Sequence, residues 1–65
     1  MTGERIRAAR IEKHMTQAQL AEKVGVSRIF MGMIERASEP IMSAKVAKAI
    51  AEVLGVSLDF LLCLD

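Results

Sequence analysis

Four hydroxyl residues punctuate this chain. Thr16, Ser27, Ser43 and Ser57 each stand just ahead of a stretch whose apolar residues recur every three or four positions. A hydroxyl at that place accepts from backbone N–H groups that the start of a helix leaves without partners. Thr16 also has Gln19 three residues on, the pairing of a capping box. Gly25 and Gly55 close two of the stretches, where the backbone must turn left-handed. Pro40 is the single proline, and no alternating run of useful strand length occurs. A chain so divided folds as a succession of short helices, which makes the fold class all-α. Its 65 residues form one domain, 1–65, hiding only roughly 60% of the unfolded surface. With 52% hydrophobic residues, such a chain builds a core without covalent staples.

The spacing predicts a first helix from about Gly3 to Lys13, with Ile6, Ala9 and Lys13 on one face and Arg10 beside them. His14 and Met15 break it. A second helix starts behind Thr16, carries the stripe Leu20, Ala21 and Val24, and stops at Gly25. A third follows Ser27, its buried side marked by Val26, Phe30 or Met31, and Ile34. Residues 28, 29, 32, 33 and 36 then point outward on the ~3.6-residue repeat. Residues 37–42 form a loop. Ser43 caps a fourth helix that turns Val46, Ala47, Ile50, Ala51 and Leu54 inward, and Ser57 caps a short fifth over 58–62.

Several functions are disfavoured at once. Cys63 is the single cysteine, so there is no internal disulfide, and no Cys/His cluster exists for zinc. His14 is the single histidine, with no Ser or Cys spaced to recruit it, so an enzyme is not expected. No phosphate loop, cofactor motif, small-molecule site, signal peptide or ~20-residue membrane span is visible. The expected location is the cytoplasm. Nine Lys and Arg against eight Asp and Glu leave a formal charge of +1, low for a nucleic-acid domain, whose affinity comes largely from phosphate contacts.

Two short helices joined at a glycine, with a small residue between them, have helix-turn-helix geometry, here about 16–36. From Gln17 the pattern runs to Ala21, Gly25, Met31 and Ile34. Together with Arg10, Met15-Thr16-Gln17, Leu20 to Arg28, Ile34-Glu35-Arg36 and Leu54 to Asp59, it resembles the lambda-repressor/Cro-like (XRE) family over about residues 4–62. The resemblance implies a compact five-helix domain that inserts its third helix into the major groove of DNA. By position, Gln17 would hold a phosphate, while Arg28, Ile29, Gly32 and Met33 would occupy reading positions. Arg36 would lie near the backbone, and Arg10 and Glu35 would form an internal ion pair. His14 stands where the family most often has glycine.

The contact face departs from that pattern. Ile29 and Met33 have no hydrogen-bonding tips, whereas a good bidentate base contact contributes ~1–3 kcal/mol of discrimination. Glu39 would repel phosphate in the loop, and Ile41 and Met42 add apolar bulk. If Ile29, Phe30, Met33, Ile41 and Met42 made one patch, it would cover roughly 400–500 Å², an area that monomers seldom leave exposed. Its burial would contribute roughly 8–15 kcal/mol gross, against ~4–15 kcal/mol for association. Two readings follow. In the first, Arg28, Ile29, Phe30, Gly32, Met33, Arg36, Ile41 and Met42 bind a protein partner or a second copy, on a scaffold resurfaced by engineering. In the second, Gln17, Arg28, Ile29, Met33 and Arg36 bind duplex DNA in a transcriptional regulator, with Ile29 meeting a thymine methyl. The tail residues Phe60, Leu62 and Leu64 offer another pairing surface, though closure of the core by Leu58, Phe60 and Leu61 accounts for them more simply.

Overall fold

The computed structural model describes residues 2–63. The hydroxyl punctuation governs it. The helices are α1 (Thr2–Glu12), α2 (Gln17–Val24), α3 (Arg28–Arg36), α4 (Ala44–Leu54) and α5 (Leu58–Leu61), and no strand occurs among the described residues. Thr16 and Gln19 form the full capping box: the Gln19 N–H donates to Thr16 Oγ1 at 3.0 Å, and the Thr16 N–H to Gln19 Oε1 at 2.8 Å. Ser27, Ser43 and Ser57 each accept from the N–H three residues on, at 3.0, 3.2 and 3.0 Å. Gly25 ends α2 with φ 91° and Gly55 ends α4 with φ 69°, the left-handed geometry in which a side chain is strained.

The apolar stripes meet in one core of Ile6, Leu20, Ala21, Met31, Ile34, Ile50, Ala51, Leu54 and Leu61. α2 packs on α3 and α4, α1 on α3, α4 and α5, and α4 on α5. Ala21, the small residue of α2, is buried in this core. Phe60 is half-buried against the core, and Leu61 is fully inside, so the short last helix closes the bundle. Arg5 strengthens that closure: its guanidinium lies 4.6 Å from the centre of the Phe60 ring and donates to the Phe60 carbonyl at 2.7 Å. Leu64, the outermost of the expected tail contacts, lies outside the described residues.

The first helix differs from its expected bounds. It begins at Thr2, and Lys13 lies beyond it, exposed to solvent and not on the inner face. The cause is a close approach that periodicity does not register. Thr2 and Gly3 are buried. A Cβ on Gly3 would stand 2.5 Å from the Glu35 and Ala37 carbonyl oxygens and 2.7 Å from that of Ile34. The start of α1 therefore presses directly on the end of α3, and only glycine fits between them.

His14 holds φ 58°, a left-handed conformation that a histidine tolerates at a cost. It is exposed at the end of α1. His14→Gly should raise stability by up to ~1 kcal/mol, offset in part by glycine's freedom in the unfolded chain. Gly3→Ala should do the reverse, losing ~1–3 kcal/mol by overpacking despite alanine's better helix propensity. Thermal unfolding followed by circular dichroism checks both, since each kcal/mol moves the midpoint by ~4–8 °C in a domain of this size.

Candidate nucleic-acid interface

The outer face of α3 is positioned from within by a polar cluster. Arg10 on α1 and Glu35 on α3 form a buried two-pronged ion pair: Nε donates to Oε2 at 2.8 Å and Nη2 to Oε1 at 3.1 Å. The side chain of Glu35 is 1% exposed and that of Arg10 11%. Arg10 Nη1 also donates to the Met15 carbonyl at 2.7 Å, tying down the chain just before α2. Gln17, in the first turn of α2, donates from Nε2 to Glu35 Oε1 at 3.2 Å. Three helices therefore meet at a single carboxylate, and the turn before α2 is joined to it through Arg10. No buried side-chain nitrogen or oxygen among the described residues lacks a partner.

Two of the residues expected to form the outer face turn back into the molecule. Phe30 and Met42 are half-buried and pack against the core, because each lies on the inward side of its turn. Ile29 at 72%, Met33 at 47% and Ile41 at 45% are exposed. Arg28 and Arg36 are exposed as well. The apolar area is therefore smaller than the five-residue patch that composition suggests.

Gly32 corrects the expectation most sharply. It points outward by helical phase, yet it is buried. Arg36 and Gln17 cover it. The point that a Cβ on Gly32 would occupy is 3.2 Å from Arg36 Nη1, 3.9 Å from Arg36 Cζ and 3.7 Å from Gln17 Oε1. Helical side chains tilt toward the N-terminus and lie over the preceding turn, so a long residue four positions after a glycine folds across it. The spacing Gly32 to Arg36 carries that signal. The Gln17 bond to Glu35 carries none, because their 18-residue separation has no local pattern.

Residues 6–61 match the helix-turn-helix family model HTH_3. The chain belongs to this helix-turn-helix family. It is 44% identical over 55 residues to the immunity repressor protein of Bacillus phage phi105, across 83% of this chain and 37% of that protein. It is 37% identical over 62 residues to the HTH-type transcriptional regulator SinR of Bacillus subtilis (strain 168), across 95% of this chain and 56% of SinR. The chain thus spans little more than half the length of these relatives, or less. A crystal structure of SinR in complex with DNA matches with a TM-score of 0.86 at 37% identity, over 100% of both chains. A SinR/SinI protein complex matches with the same score, over 95% of this chain and 60% of that one.

Within this family frame, the ion pair that the resemblance implied between Arg10 and Glu35 is present and buried. Among the described residues no group of His, Cys, Asp or Glu is arranged to hold a metal ion. No helix there is long and apolar enough to cross a membrane. A shallow hollow of about 400 Å³ is lined by Lys45, Lys48, Ala49 and Glu52, all from α4 and none from the helix-turn-helix face. Cys63 is a free, exposed thiol, 3.9 Å from Thr2 Oγ1.

Removing one member of the central pair leaves the other charge buried and alone, a loss of ~3–5 kcal/mol. That is comparable to the whole stability of a small domain. Glu35→Ala should therefore unfold much of the population at room temperature. Arg10→Met combined with Glu35→Leu, which removes both charges, should retain far more helix. Urea unfolding of the two variants side by side makes the comparison.

Proposed function

We propose that this chain is the DNA-binding domain of a transcriptional repressor, acting in the cytoplasm and binding a twofold site as a dimer. The observation that carries this reading is the outer face of α3. Arg28 and Arg36 are exposed there, with Gln17 close to the Arg36 guanidinium, on a frame matched end to end by a SinR structure in complex with DNA. The phage immunity repressor and the transcriptional regulator SinR, as relatives, support the same role. Gln17 gives one N–H of its amide to Glu35 and keeps the other for a phosphate. Ile29 and Met33 suit a stretch of groove lined by thymine methyl groups, the one apolar feature of a base edge. Relatives at this level of identity make an engineered origin unnecessary to explain the frame.

A second reading has one observation in its favour: Ile29, Met33 and Ile41 remain exposed. They would serve a protein partner or a second copy. With Phe30 and Met42 facing the core and Gly32 covered, this surface is too small to outweigh the first reading.

Fluorescence anisotropy with duplexes selected from a random pool tests the proposal. Binding should weaken with salt, and Gln17→Ala or Arg28→Ala should lower affinity about tenfold or more while the helical signal is kept. Absence of binding to any duplex at low salt would end the DNA reading and leave the protein-partner one. Replacing thymine by deoxyuridine in a selected duplex should weaken binding about fourfold for each contacted methyl, from ~0.8 kcal/mol per buried carbon. Ile29→Ala should be insensitive to that replacement at the position it contacts.

A further inference from the structure

We propose that Arg36 specifies a guanine in each half of the DNA site, and that Gly32 is what places it to do so; this rests on the DNA-binding reading above. A residue at the last position of α3, extended outward, would reach the sugar-phosphate backbone. Arg36 does not extend outward. Its guanidinium returns over the preceding turn and occupies the space a side chain at position 32 would fill, with Nη1 3.2 Å from that Cβ point. The shift is one helical turn, ~5.4 Å toward the N-terminal part of the helix. In helix-turn-helix docking that part of the reading helix faces the base edges.

The surroundings of the guanidinium match a groove floor better than a phosphate. Position 32 lies between the exposed apolar residues Ile29 and Met33 and one turn from Arg28. Apolar flanks repel a phosphate's hydration shell and accept methyl groups and base edges. Among the described residues Arg36 makes no hydrogen bond or ion pair, so its fork of donors is uncommitted. Gln17 Oε1 stands 3.7 Å from the same point, turned to this side because its Nε2 is held by Glu35. It lines one edge of the place where the guanidinium rests. A planar fork with two parallel donors fits the O6 and N7 acceptors of guanine.

Gly32 is otherwise hard to account for. Glycine inside a helix is disfavoured by ~1 kcal/mol relative to alanine. The three atoms nearest the point its Cβ would occupy are side-chain atoms of Arg36 and Gln17, not the backbone of another helix. What its missing side chain supplies is room for the guanidinium.

The test selects bound duplexes from a randomised pool with the full chain, then repeats the selection with Arg36→Lys and Gly32→Ala. The unaltered chain should select guanine at one position per half-site. Arg36→Lys keeps the charge and loses the fork. It should lower the guanine preference there by roughly 5- to 150-fold, with the salt slope and the other positions unchanged. Gly32→Ala should melt no lower than the unaltered chain and lose part of the same preference at the same position. If Arg36→Lys weakens all duplexes equally and the guanine preference survives, Arg36 contacts phosphate and the proposal is overturned while DNA binding stands. A selected site with no guanine position overturns it equally. If the unaltered chain binds no duplex, the DNA-binding reading has failed and this inference with it.

Discussion

The carboxylate of Glu35 is the point on which the arrangement of this domain turns. Apolar packing among Ile6, Leu20, Met31 and Ile34 brings α1, α2 and α3 together, but such packing is weakly directional. The two parallel bonds from Arg10 are directional, and they admit one rotation of α3 about its axis. Arg10 also holds the Met15 carbonyl, and Gln17 donates to the same carboxylate from the start of α2. Helix α3 is therefore referenced to both of its neighbours through one group. Burying that pair contributes little net stability by itself. Its use is geometric: the outer face of α3 has a defined direction because the inner face has a charged anchor.

The contact of α1 with the end of α3 completes the positioning. At Gly3 the first turn of α1 stands against the carbonyl oxygens of Ile34, Glu35 and Ala37. The last carbonyls of a helix and the first N–H groups of another carry opposite partial charge, so this junction is electrostatically favourable as well as tight. It lies directly beside Glu35 in sequence. The ion pair and the glycine contact thus hold the same end of α3 from two sides, and Arg36, the next residue, leaves from a fixed base.

How much of this was legible before the structure depends on whether the signal was local. Thr16, Ser27, Ser43 and Ser57 act on N–H groups three residues away, so the helix starts could be read residue by residue. The stripes Leu20-Ala21 and Ile50-Ala51-Leu54 follow a repeat that the chain itself displays. The ion pair of Arg10 with Glu35 was legible only through family resemblance, since nothing local joins residues 25 apart. Gly3 reads as an ordinary helix start in the sequence because its constraint comes from α3. The α3 face was half read. Ile29 and Met33 are outside, as their phase predicts, but Phe30 packs against the core, since a nine-residue helix leaves little room to separate inner from flanking positions, and so does Met42, whose loop has no periodicity to read. The burial of Gly32 followed from side-chain tilt, which a wheel of residue positions omits.

The charge of the chain bears on how such a domain would use DNA. A formal charge of +1 and an exposed Glu39 in the loop after α3 mean that one copy neutralises few phosphates. Binding strength from counterion release scales with that number, so a single copy on non-specific duplex would hold weakly at physiological salt. Weak background binding raises the share of affinity that must come from base contacts and from joining two copies on one site. In that regime a single guanidinium held in place matters more than it would on a strongly basic surface. For a DNA-binding domain, the scarcity of charge and the placement of Arg36 over Gly32 would then belong to one design: little general attraction, and discrimination concentrated at a few well-held atoms.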